Sequence, residues 1–300
     1  MSTFRKKEVR EINGLILLDK PEGMTSFMAA AVLRRIYGTK RAGHTGTLDP
    51  MATGVLPIFL GRATRLCSIM LESDKSYIAG LRLGVTTDTD DITGTVLTKT
   101  AVNVTDQDFL NALEHFSGEY DQLPPMYSAL KKDGERLYDL ARQGIVVERE
   151  KRRVNIKKNK LLERINSTDF LIEVDCSKGT YIRSLVADIG QYLGCGGTLI
   201  SLRRTKTAQF TIDSCTTLEE IKANPDKYLL SPDVAVSHLG EAKITENQAV
   251  RFKNGGELFL DRLFCDYKTD LVRVYCKNVF LGLGLVDKEA NLLRVKFLTD

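Results

Sequence analysis

One carboxylate, Asp49, stands in the middle of Arg41-Ala-Gly-His-Thr-Gly-Thr-Leu-Asp-Pro-Met-Ala-Thr-Gly-Val-Leu-Pro57, five residues after His44. Pro50 pushes the backbone of Asp49 away from the helical region, and Gly43, Gly46 and Gly54 punctuate the segment as a shaped loop. The apolar run Val55–Leu60 that follows is short enough to be a buried strand. A lone acid on a rigid loop feeding a buried strand is one way to hold a nucleophile still. Asp-Pro is also ordinary turn chemistry, and spacing alone leaves both readings open.

Other chemistries have less to stand on. The six cysteines (67, 176, 195, 215, 265 and 276) never come closer than eleven positions, and the three histidines (44, 115 and 238) are scattered. Zinc and redox motifs are unsupported, and reduced thiols fit a cytosol. The acidic run Thr86–Gly94 fails as a calcium loop. Counted from Asp88, its fifth and sixth positions are Ile92 and Thr93, where an oxygen ligand and a glycine are needed. No Walker loop occurs, and Gly194-x-Gly196 lacks a third glycine at 199.

The segment Gly43-His-Thr-Gly-Thr-Leu-Asp-Pro-Met-Ala-Thr-Gly54 closely resembles the signature of the TruB family of pseudouridine synthases. The resemblance implies an isomerase that converts uridine to pseudouridine in the T-loop of tRNA, at position 55. It needs neither cofactor nor metal, because an N-glycosidic bond is broken and remade at C5 with no net oxidation. Asp49 would be the nucleophile or base; attack on the ring, attack on the sugar and removal of a sugar proton all remain open. Arg183, in Gly179-Thr-Tyr-Ile-Arg183, matches the arginine that pairs with this aspartate. Tyr77 matches the tyrosine that stacks on the target base, Tyr181 and Leu202 line the pocket, and His44 lies beside the extracted nucleotide. Lys20-Pro21 and Asp91 would support the site. Residues 124–153 resemble a thumb that grips the T-loop through Lys131, Lys132, Arg136 and Arg142, with Arg203 and Arg204 as further RNA contacts. The expected partner is the tRNA T-arm, with no guide RNA and no obligatory protein partner, and the expected state is a monomer. Guide-RNA-dependent relatives and a non-catalytic RNA binder on the same scaffold are the alternatives.

Several elements must position these residues. Gly14–Leu18 reads as a buried strand, stopped by the turn Asp19–Gly23, and Thr25 or Ser26 caps a helix over 27–37 whose core face carries Phe27, Ala31, Leu33 or Val32, and Ile36. A helix over 63–71 follows. Tyr77–Gly84 alternates as a strand with Tyr77, Ala79, Leu81 and Leu83 on one face. An amphipathic helix over 105–118 is expected, then a thumb helix from about 135, a strand over 151–160 with one basic face, a buried strand over 170–176, a helix over 184–193 and a strand over 200–204.

After residue 237 short strands predominate. The resemblance implies a mixed α/β (α+β) pseudouridine-synthase fold with a largely antiparallel central sheet flanked by helices (residues 1–237), and the β-rich tail (238–300) resembles a small PUA-type RNA-binding module. No apolar run reaches membrane-spanning length, and the expected location is cytoplasmic. The net charge of +4 is unevenly spread. Residues 1–65 carry +6, 66–130 carry −7, 131–206 carry +7 and 207–300 carry −2, so an electropositive face forms if the first and third segments meet.

Overall fold

A computed structural model describes residues 12–128, 130–132, 134–145, 147–266 and 269–299. Most of the basic lead-in (1–11) and the side chains of Lys131, Lys132 and Arg136 lie outside that description.

The large sheet runs, in spatial order, Gly14–Lys20, Thr53–Leu60, Gly197–Thr207, Lys75–Leu83, Asp169–Cys176, Arg152–Arg164 and Gly118–Gln122, with Ala42–His44 pairing Thr53–Leu60 and Phe210–Thr211 pairing Gly197–Thr207. Every junction is antiparallel but one, where Arg203 and Arg204 run parallel to Thr53 and Gly54. That junction brings the first and third charge segments together.

Alternation sets the buried faces. Tyr77, Ala79, Leu81 and Leu83 all point into one core, with Ile172 and Val174 from the neighbouring strand. The helices Ser26–Tyr37, Asp106–His115 and Ile182–Tyr192 bury Leu33, Phe109 and Val186 in the same core. Thr25 caps the first of these by accepting from the Met28 N–H.

The helix Ser26–Tyr37 corrects one expectation. Its buried stripe is Ser26, Ala29, Ala30, Leu33 and Tyr37, and Phe27 is 76% exposed. The cap at Thr25 puts Phe27 in the first turn, about 100° around from the inward-facing Ser26. The stretch expected as one helix over 63–71 is a 3₁₀ turn, Gly61–Leu66, followed by a short helix, Cys67–Leu71. The thumb helix is also short, Leu137–Arg142.

The tail forms a six-stranded sheet in which Leu271–Cys276, Val279–Asp287 and Leu292–Leu298 are central. It has its own core around Phe252, Val272, Val274 and Leu293. A further cluster joins its Leu283, with Leu271, Phe280 and Phe297 alongside, to Leu15, Leu17, Val55 and Phe59 of the large sheet. Among the described residues no helix is long and apolar enough to cross a membrane.

Candidate active site

The loop carrying Asp49 is fastened on both sides of the acid. Leu48 is buried in the main core, and its N–H and C=O both engage the Ser26 hydroxyl, at 2.8 and 3.1 Å. Ala52, fully buried, donates to the Asp49 carbonyl at 3.0 Å. The Pro50 carbonyl accepts from the Gly23 N–H at 2.8 Å and from Lys20 Nζ at 3.4 Å. Lys20 also donates to the carbonyls of Pro21 and Met24, at 2.8 and 2.6 Å. It is wholly buried, and burial lowers its pKa to about 8 against the opposing pull of Asp49. The Lys20–Pro21 turn therefore braces the loop and adds a positive charge near the acid.

Arg183 lies in the first turn of Ile182–Tyr192, one of several buried residues at that helix start. Its Nε is 3.0 Å from Asp49 Oδ2, its Nη2 is 3.5 Å from Asp49 Oδ1, and its side chain is only 6% exposed. Thr89 and Tyr127 carbonyls accept from the same guanidinium at 3.1 and 2.7 Å. Asp91 Oδ2 stands 3.8 Å from Nε, and its Oδ1 accepts from Thr89 Oγ1 and the Thr93 N–H, both at 2.9 Å. Two carboxylates thus share one buried guanidinium, and the charge-assisted fork fixes the direction of Asp49. The Asp49 side chain keeps 36% of its exposure.

Electrostatically, burial pushes Asp49 above its ordinary carboxylate range, Arg183 pulls it back, and Asp91 pushes it up again. Asp91→Asn removes the like charge and frees Arg183 for Asp49, so the Asp49 pKa falls. The acid limb of the kcat/KM profile is then expected to move to lower pH. A pH–rate comparison of the variant and the wild type checks the sign; an upward move of the limb refutes it.

The other expected residues differ in their burial and partners. Tyr77 is 8% exposed, and burial pushes its phenol up to about 12, with the Arg204 guanidinium pulling the other way. Leu202 is in register with Ala79 and is 9% exposed, in the same core as Tyr77. Tyr181 precedes the Arg183 helix, and burial raises its phenol. His44 is half-buried; burial and then Arg204 lower its pKa, and its Nδ1 has no hydrogen-bond partner. Arg203 is partly exposed but paired with Asp19 at 2.8 Å.

Arg204 overturns its expected role as an RNA contact. It is 1% exposed, because it shares the inward face of its strand with Leu202. Among the thumb cations, Arg142 is exposed and lies over the Tyr138 ring at 4.9 Å.

Residues missed from the sequence include Ser26, described above, and Gln122. The Gln122 side chain, 1% exposed, grips the Tyr181 backbone at both ends: Oε1 accepts from its N–H at 2.8 Å and Nε2 donates to its carbonyl at 3.1 Å. Nothing in the local pattern Tyr120-Asp-Gln-Leu-Pro124 announces a side chain that reaches 59 residues along the chain.

This geometry can be set beside known proteins. Residues 34–182 match the model of the TruB family pseudouridylate synthase N-terminal domain, and residues 183–231 match the tRNA pseudouridylate synthase B C-terminal domain. A tRNA pseudouridine synthase B from Aromatoleum aromaticum is 45% identical over 287 residues, covering 94% of this chain and 92% of that protein. The chain belongs to the TruB family. A further TruB relative, tRNA pseudouridine synthase B of Clostridium tetani, is 44% identical over 93% of this chain and 97% of its own. Among solved structures, a chain of an H/ACA ribonucleoprotein bound to a substrate RNA superposes with a TM-score of 0.71 at 25% identity. A chain of a Cbf5–Nop10–Gar1 complex gives 0.72 at 26%. Each match covers 96% of this chain and 85% of the other. The TruB C-terminal model ends at residue 231, so it covers the Arg183 helix and the strand of Leu202 rather than the six-stranded tail.

Proposed function

We propose that this chain isomerises uridine to pseudouridine at position 55 in the T-loop of tRNA, with the ionised carboxylate of Asp49 as the catalytic nucleophile or base. The observation that carries this reading is the Asp49–Arg183 pair at 3.0 Å, exposed on the carboxylate side and buried on the guanidinium side. Tyr77 and Leu202 supply the flat and apolar walls that a detached uracil needs, and Tyr181 and His44 stand at the rim. The target base must leave its stack, at a cost of a few kcal/mol. Exposed cations of the thumb over residues 124–153 and of the tail over 238–300 offset that cost through phosphate contacts. The protein works without metal, organic cofactor or guide RNA, as a monomer in the cytoplasm. Its 44–45% identity to tRNA pseudouridine synthase B, against 25–26% to the ribonucleoprotein chains, favours stand-alone action.

Release of tritium from C5-labelled uridine in unmodified tRNA, with purified protein alone, tests the reading. A requirement for added guide RNA would overturn its stand-alone part, and no release under any condition would overturn the whole. Arg142→Ala is expected to raise KM a few-fold with kcat unchanged. It should also flatten the dependence of log KM on log salt by about one phosphate equivalent. An unchanged salt slope would remove Arg142 from the RNA interface.

A further inference from the structure

Two glycines bracket Asp49, Gly46 at φ +100° and Gly54 at φ +103°. Both lie against Arg204. A Cβ on Gly54 would meet the Arg204 carbonyl at 2.1 Å, and a Cβ on Gly46 would sit 3.5 Å from Arg204 Nη1. The side chain then ties both ends of the loop to itself: Nε donates to the Val55 carbonyl at 2.7 Å and Nη2 to the Gly46 carbonyl at 3.2 Å. In the sheet Arg204 is in register with Tyr77 on one side and Gly54 on the other, and its positive charge pulls the Tyr77 phenol down against the effect of burial. Among the described residues no carboxylate forms an ion pair with it, although it is 1% exposed. A buried, uncompensated guanidinium is costly unless its geometry is needed.

We infer that Arg204 is a positioning residue for the reaction, clamping the Asp49 loop at both ends and setting that loop against the strand that carries Tyr77. The inference rests on the functional reading above. Arginine suits the task because one rigid plane presents donors in several directions. Lysine, a single point charge on a flexible stem, keeps the cation but cannot span the two carbonyls. The role differs from RNA contact: the residue acts through Asp49 and Tyr77, out of reach of a phosphate.

Arg204→Lys tests it on full-length protein and unmodified tRNA. The expected result is a kcat lowered at least tenfold, with KM and its salt dependence within twofold of wild type. A raised KM with a flatter salt slope would make Arg204 an RNA contact, and wild-type kcat would remove it from the site; either overturns the inference. A lower melting temperature with wild-type kcat marks a merely structural residue and overturns it as well. Should Arg204→Lys not fold, Arg204→Gln, which leaves the loop sequence untouched and keeps a side-chain donor but not the two-ended fork, takes its place. That variant is expected to show the same fall in kcat at constant KM, and an unchanged kcat overturns the inference. Because wild-type tritium release is measured in the same series, failure of the functional reading is seen separately.

Discussion

Asp49→Asn is expected to lower pseudouridine formation by about 10⁴-fold or more while the affinity for tRNA stays within a few-fold. The amide matches the carboxylate in shape but can neither attack nor take a proton. Loss of one member of a catalytic unit typically costs 10⁴–10⁶ in kcat. The fold should survive the change. Arg183 keeps the carbonyls of Thr89 and Tyr127 and retains Asp91 at 3.8 Å, while Leu48 and Ala52 stay buried in the core. Tritium release and filter binding on the same preparation separate the two effects. Loss of binding together with activity would mean that Asp49 serves the structure of the loop rather than the chemistry.

The second large effect is expected at Arg183. Arg183→Lys keeps the charge but loses the fork that reaches Asp49, Asp91 and two carbonyls at once. Preorganised donors of this kind are worth about 10²–10³ in kcat, and a fall of that size with a nearly constant KM is the expected result. Arg183→Ala goes further by taking the shared cation from buried Asp91 and partly exposed Asp49. Breaking a fully buried pair costs about 3–5 kcal/mol of stability, and the exposure of Asp49 places the expected loss below that, measurable by denaturant titration. Near-wild-type kcat for the lysine variant would reduce Arg183 to a counter-charge with no part in aiming the acid.

The sequence told most where residue type and spacing are dictated by backbone geometry. The glycines and proline around Asp49 announce a shaped loop, and the alternation at Tyr77–Leu83 places the tyrosine on the buried face. It told least where tertiary position decides between equal local options. Arg203 and Arg204 are the same residue type on one strand, yet one is paired at the rim and the other is sealed beneath the loop. A signal was available in the period of two, which puts Arg204 on the side of Leu202. The charge totals misled in the same way: Lys20, Arg183 and Arg204 count toward a basic face but are spent inside. Phe27 failed because the exact cap, one residue either way, rotates the whole stripe. Gln122 and Ser26 were beyond reach, since their partners are distant in sequence and chosen only by the packed sheet.

The apolar seam between the tail and the first two strands bears on how the tail can be studied. Leu283 and its neighbours roof Leu15, Leu17, Val55 and Phe59, and those same strands end at Lys20 and begin at the exit of the Asp49 loop. Amputating the module would strip a wall from the catalytic half, so a shortened chain would confound lost RNA contacts with a scaffold laid bare. Substitutions on the outward face of the tail, which leave that shared roof in place, are the cleaner scalpel.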